Sequence, residues 1–98
     1  MNEELKIAKM VSKANGGVGF YLDLITVEVL GILEEADRVG RKVDGKVIIS
    51  NAHGVITCPV KVDANGCFYI PLKKAEMDVL QIYPKYIGVF TIKYDKTL

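Results

Sequence analysis

Ala64-Asn65-Gly66, within the run Lys61-Val62-Asp63-Ala64-Asn65-Gly66-Cys67-Phe68-Tyr69-Ile70-Pro71, decides how this 98-residue chain is read, because the same triplet stands at Ala14-Asn15-Gly16. Laying Val11 to Ile32 on Lys61 to Ile82 at an offset of fifty gives seven identities in twenty-two positions: Ala14/Ala64, Asn15/Asn65, Gly16/Gly66, Leu22/Leu72, Val29/Val79, Leu30/Leu80 and Ile32/Ile82. Asn-Gly alone is a common turn dipeptide. Here, however, turn, apolar strand and an apolar run ending in Leu-x-Ile recur in one order and one register. Sequence periods of about twenty to fifty residues mark supersecondary units that bury their apolar faces on each other. The chain therefore reads as one domain, 1–98, made of two units, 1–50 and 51–98. Half of its residues are apolar, enough for one shared core but not for two independent ones.

Charge narrows the function classes. Thirteen Lys and Arg against twelve Asp and Glu leave a net charge of +1, which makes no general electrostatic case for nucleic acid or an anionic membrane. The absence of a twenty-residue apolar stretch, and of a basic-then-apolar leader, makes a cytoplasmic protein with no membrane partner the expectation.

Local chemistry gives each unit the order strand, strand, short helix, strand. If Ala64-Asn65-Gly66 is a three-residue hairpin loop, Gly66 takes its left-handed position. Val62 then faces Phe68, Val60 faces Ile70 and Cys58 faces Leu72. In that register Cys58 points into the core and Cys67 away from it, so the two form no disulfide. In the first unit, Lys6 to Lys13 leads into a half-buried strand over Gly19 to Leu24, then a helix over Thr26 to Ile32 with Thr26 as N-cap. Asp37 to Val43 and Lys46 to Ser50, joined by Asp44-Gly45, read as a second hairpin. The second unit repeats this as strands over Val55 to Val62 and Cys67 to Leu72, a helix over Lys73 to Ile82 and a strand over Tyr86 to Tyr94. It ends without a partner for that last strand unless Lys96 to Leu98 supplies a stub.

Two stretches carry a family resemblance. Lys61 to Pro71 resembles the Lys-Val-Asp, Gly, Ile-Pro signature that opens AbrB/MazE/SpoVT-type swapped-hairpin domains. Leu30-Gly31-Ile32-Leu33-Glu34-Glu35-Ala36-Asp37-Arg38-Val39 resembles the same family's Leu-Gly-Ile, acid, Asp-x-Val segment. The resemblance implies a mostly β fold with two short helices, in which duplicated β-β-α-β units form one intertwined swapped-hairpin (cradle-loop) barrel as an intramolecular pseudo-dimer. A double-psi β-barrel, also built from two such units, is the alternative. The Asp44-Gly45 hairpin favours the former and the missing last strand the latter.

By the same resemblance the chain is expected to bind double-stranded DNA as a transcriptional regulator. Lys61 occupies a basic position of the family. Lys9, Lys13, Asn15, Asn65, Lys73 and Lys74 lie at or near the turns and the second helix start, where they would meet phosphates or base edges. Lys13, Lys61, Lys73 and Lys74 are expected on one face. The departures are Cys67 where the family commonly has Arg, and Val27-Glu28 and Met77-Asp78 where it has basic residues. Phe68, Tyr69, Tyr83, Tyr86 and Phe90 crowd one unit, and an aromatic face among them would instead fit a protein partner or a homo-oligomer.

Catalysis is not expected. His53 is the single histidine and sits in a turn, and Gly16-Gly17-Val18-Gly19 leads into a strand rather than a helix N-terminus. Two Cys and one His without Cys-x-x-Cys spacing give no zinc site, and no cofactor is called for.

Overall fold

The computed structural model describes residues 4–14, 17–32 and 43–98. The described chain is mostly β, with eight strands in two antiparallel sheets and two seven-residue helices. In chain order the elements are β1 (Glu4–Met10), β2 (Ser12–Ala14), β3 (Gly17–Leu22), α1 (Leu24–Leu30), β4 (Lys46–Asn51), β5 (Gly54–Cys58), β6 (Lys61–Val62), β7 (Phe68–Leu72), α2 (Lys74–Leu80) and β8 (Ile87–Asp95). One sheet runs β1-β8-β4-β5 and the other β2-β3-β7-β6.

The expected Ala64-Asn65-Gly66 loop is present. Gly66 has φ +82°, Asp63 N–H donates to the Cys67 carbonyl at 3.0 Å, and Val62 faces Phe68. The pairing stops one residue further on, because the expected strand over Val55 to Val62 is two strands in different sheets. Pro59, which has no N–H for a ladder, separates them. Cys58 therefore faces Val47 across β4·β5 rather than Leu72. Lys6 to Lys13 divides likewise at Val11, whose N–H and carbonyl leave the ladders to bond Tyr86 O at 2.8 Å and Lys85 N–H at 2.7 Å. Chain direction changes sheets at both places, so each sheet takes strands from both halves of the sequence.

The second expected hairpin is corrected as well. Lys46 to Ser50 lies within β4, but Val47 to Ser50 pairs with β5 on one side and β8 on the other, leaving no free edge for a hairpin partner. Residues 37–42 of that expected hairpin lie outside the described residues. Thr26 is not the cap of α1. Asp23 is, its Oδ1 accepting from Thr26 N–H at 2.8 Å, so the helix starts two residues early. The backbone N–H of Thr26 foremost, and its side chain second, hold the Asp23 carboxyl below the ordinary carboxylate range by hydrogen bonding to it.

The helices begin and end fifty residues apart, at 24–30 and 74–80. Between β3 and β7, Phe20 lies opposite Ile70, its own counterpart at that offset, and Val18↔Leu72 corresponds to Leu22↔Phe68 on the other side. Gly19 permits this ladder. A Cβ there would stand 2.3 Å from the Ile70 carbonyl oxygen.

The inner faces of the sheets meet in one cluster. Phe20, Phe68 and Ile70 from one sheet pack with Ile49, Phe90, Ile92 and Tyr94 from the other, closed by Val27 and Leu30 of α1 and Leu80 of α2. The Phe20 and Phe90 rings, 5.0 Å apart and inclined at 60°, join the layers. Each fully buried side chain of this size contributes about 1.5–3 kcal/mol. No described helix is long and apolar enough to cross a membrane.

Candidate functional site

The basic residues singled out from sequence are spread over several elements. Lys9 lies half-buried on β1, whereas Lys13 on β2, Lys61 on β6, Lys73 at the N-cap of α2 and Lys74 in its first turn are exposed, as is Asn65 in the β6–β7 loop. Asn15 lies outside the described residues. β2 and β6 are the opposite edges of their sheet. Lys13 faces Val18, which packs on the core side, whereas Lys61 faces Tyr69, two places from Pro71 on the outer side. Residues directly opposite in a ladder share a face, so Lys13 and Lys61 leave opposite faces of the sheet as well as opposite edges.

At α2 the lysines have local reasons to be where they are. Glu76 Oε1 accepts from Lys73 N–H at 2.8 Å, and Lys74 Nζ lies 3.3 Å from Asp78 Oδ1 one turn on. Glu76 Oε2 also accepts from Cys58 Sγ at 3.6 Å. Burial first, and the Glu76 charge second, push the Cys58 thiol up to about 12, so Cys58 is an inert part of the core. His53 is exposed in the β4–β5 turn, its N–H donating to Asn51 Oδ1 at 2.8 Å, while Asn51 Nδ2 donates to the Leu80 carbonyl at 2.9 Å and closes the end of α2.

The aromatic residues also divide. Phe68 and Phe90 are core, Tyr69 and Tyr86 are half-buried, and Tyr83 is exposed and packs edge-on to Tyr86 at 5.1 Å. Tyr69 looks outward beside Tyr21, ring centres 6.0 Å apart.

A different set of residues forms a groove on the surface. A groove of about 510 Å³ opens between β1, the end of β3, the start of α1 and the β6–β7 loop. Leu22 and Phe68 form its floor and Tyr21 and Leu24 its walls, with Lys9 and Asp23 among its lining. That volume falls within the roughly 300–1,000 Å³ of ligand clefts. Beyond it the apolar surface continues along α1: Leu24 is 65% exposed, Ile25 75% and Val29 38%. A surface helix of a globular protein normally turns charged residues outward, and the counterpart α2 does so. At the positions fifty residues on, Leu24 becomes Lys74, Ile25 becomes Ala75 and Tyr21 becomes Pro71. A second apolar corner, Met10, Ile87 and Val89, lies on the outer face of the β1·β8 pair.

Sequence reasoning passed over Leu24 and Ile25 because Leu24 reads as the inward end of a strand over Gly19 to Leu24, which in the structure stops at Leu22, and over Val29 because an apolar run at a helix reads as core. The available signal was the comparison of the two units, which shows a charged position replaced by an apolar one. Among the described residues, no three His, Cys, Asp or Glu side chains are grouped to hold a metal ion. In comparisons with known proteins, no family model, no curated protein and no solved structure matches the chain.

Proposed function

We propose that the chain is a protein-interaction module built from two copies of one β-β-α-β unit, in a cradle-loop barrel arrangement, which docks a partner on the outer face of α1 and the adjoining groove. The observation that carries the reading is the exposed apolar pair Leu24 and Ile25 at positions where the other helix has Lys74 and Ala75, next to Val29, whose counterpart Val79 is exposed as well. Large apolar side chains left this exposed beside a groove on a folded domain favour a binding face over idle surface. The duplication is supported by the fifty-residue recurrence of the helices and by the self-matched β3·β7 ladder. The exchange of strands between sheets at Val11 and Pro59 supports the intertwined arrangement.

A photo-crosslinking residue at position 25, expressed in the native cells, tests this against the same residue at exposed Thr57. Discrete protein adducts at 25, absent at 57 and lost on Leu24→Lys, are the expected result. Equal adducts at both positions would sink the reading.

A second reading, a DNA-binding regulator of AbrB-like type, is favoured by the exposure of Lys13, Lys61 and Lys73, none of which has an ion-pair partner among the described residues. It requires duplex binding that weakens steeply with salt and is lost in a Lys61→Glu, Lys74→Glu double variant. Fluorescence anisotropy at two salt concentrations measures both, and no binding at low salt would rule this reading out.

A further inference from the structure

Asn51 and Asn65, the two asparagines among the described residues, stand in opposite chemical situations. The Asn51 side chain is committed at both of its polar atoms. Its Nδ2 donates to the Leu80 carbonyl at 2.9 Å, and its Oδ1 accepts from His53 N–H at 2.8 Å and from Gly54 N–H at 3.2 Å. Ala52 follows it, so a methyl group stands beside the next backbone nitrogen. The Asn65 side chain is exposed and holds no hydrogen bond among the described residues. Gly66 follows it, with open space where a Cβ would stand. The loop is tied by backbone and by Asp63 alone. Gly66 N–H donates to the Asp63 carbonyl and Asp63 N–H to the Cys67 carbonyl, each at 3.0 Å, while Asp63 Oδ1 accepts from Asn65 N–H and Cys67 N–H, each at 2.9 Å.

We infer that Asn65 is a self-modification site, converted through a cyclic imide to aspartate and isoaspartate. The Gly66 nitrogen attacks the side-chain carbonyl carbon of Asn65, Cγ. The new N–Cγ bond closes the imide ring as the Cγ–Nδ2 bond breaks, and the Gly66 amide proton leaves with the side-chain nitrogen as ammonia. Solvent water then opens the ring. Cleavage of the N–Cγ bond gives aspartate, and cleavage between the nitrogen and the main-chain carbonyl carbon gives isoaspartate. Glycine after asparagine favours the attack because it carries no Cβ to hinder the approaching nitrogen. At Asn65 the hydrogen bond from Gly66 N–H to the Asp63 carbonyl withholds that nitrogen until the turn opens locally. Both products set a new carboxylate close to Asp63, and isoaspartate also lengthens the backbone inside the loop that Asp63 ties together. Gly66 and Cys67 line the groove beside α1, so the conversion changes charge and shape at its rim whatever the groove binds.

The test holds the full-length protein at 37 °C in mildly alkaline buffer beside a synthetic peptide of residues 62–73. Samples taken over time are digested with trypsin at acidic pH, which prevents conversion during handling. Tryptic peptides 62–73 and 47–61 each contain one asparagine and no glutamine, so mass spectrometry reads the amide-to-acid gain at Asn65 and Asn51 separately. The expected result is conversion of 62–73 in the folded protein, resolved by chromatography into two products of equal mass, with 47–61 unchanged over the same period. Its rate should be about fivefold below that of the free peptide, the factor that one net hydrogen bond supplies. Asp63→Ala, checked for a native circular dichroism spectrum, removes two of the ties and should recover most of that factor. An Asp63→Ala rate no higher than the parent's would overturn control by the turn. No conversion in the folded protein by the time the free peptide has fully converted, a single aspartate product, or equal conversion at Asn51 would overturn the site itself.

Discussion

Gly19→Ala should be the most informative single substitution for the fold. An alanine Cβ at 19 would lie 2.3 Å from the Ile70 carbonyl oxygen, 3.1 Å from its carbon and 3.2 Å from Pro71 Cα. Ordinary contact begins at 3.4 Å, so a gap of 3.4 − 2.3 = 1.1 Å must open. All three obstacles are backbone in the facing strand, which no rotamer change can move aside. Gly19 itself is not among the glycines with positive φ, so the cost is steric rather than torsional. Overpacking typically costs about 1–3 kcal/mol, and a rigid obstacle places this case near the top of that range. The reduced freedom of the unfolded chain returns only about 0.4–1 kcal/mol. A net loss of about 2 kcal/mol lowers the melting temperature of a domain this size by about 8–16 °C. The companion substitution, Gly66→Ala, meets nothing within 4 Å but must hold a left-handed φ of +82°. Its cost is torsional, about 1–2 kcal/mol. It should fall on the hairpin loop and leave the β3·β7 ladder protected from hydrogen exchange, whereas Gly19→Ala should expose the amides of both strands. Thermal and urea unfolding of the two variants, with exchange followed by mass spectrometry, provides the measurement. A Gly19→Ala protein that melts within about 2 °C of the parent would refute the close approach of β3 to Ile70 and the register built on it.

Three further outcomes are expected. Iodoacetamide at pH 8 should label Cys67 rapidly and leave Cys58 untouched until the chain is unfolded, because one thiol is exposed and the other buried and pushed up to about 12; labelling of both in the native protein, read by mass spectrometry, would contradict the buried site. Asp23→Ala should cost about 1 kcal/mol by removing the cap from Thr26 N–H, with Asp23→Asn largely neutral. Since the folded-state pKa of Asp23 is depressed, its contribution is present above the ordinary carboxylate range and is lost as pH falls through the folded value, so the parent and Asp23→Ala unfolding curves should converge in acid. Lys74→Ala should change stability by less than about 0.5 kcal/mol, because the Lys74–Asp78 pair is 86% and 66% exposed; a larger loss in urea unfolding would show that Lys74 does more than pair with Asp78.

What sequence disclosed was the local chemistry. The Ala64-Asn65-Gly66 turn, the facing of Val62 and Phe68 and the inward Cys58 follow from residues within a few positions of one another. Both helices were likewise visible as apolar runs, although the competition between Asp23 and Thr26 for the cap was decided by backbone geometry that composition does not contain. The breaks at Val11 and Pro59 were harder to see, since an alternating run looks the same whether its two ends pair in one sheet or two. Asp44-Gly45 failed as a hairpin signal for a related reason: β4 satisfies its edges with β5 and with β8, whose paired residues lie more than forty positions away. The lysines were selected by type and by family resemblance, which cannot tell which edge or face a strand will occupy. The groove escaped notice because its parts, Lys9, Tyr21, Leu24 and Phe68, are distant in sequence and ordinary one by one.

The placement of β8 bears on how the chain is made. In the sheet β1-β8-β4-β5 it fills an interior position, and Glu4 finds Lys93 only after eighty-nine intervening steps along the backbone. During synthesis β1 and β4 therefore emerge early, each with an open edge facing the gap that β8 will fill. Loop closure over such a separation is slow, and unfilled strand edges are templates for pairing with other chains. The nascent protein depends on its last long strand to seal a sheet begun with its first, so slow translation of the second half would lengthen its exposure to aggregation far more than slow translation of the first.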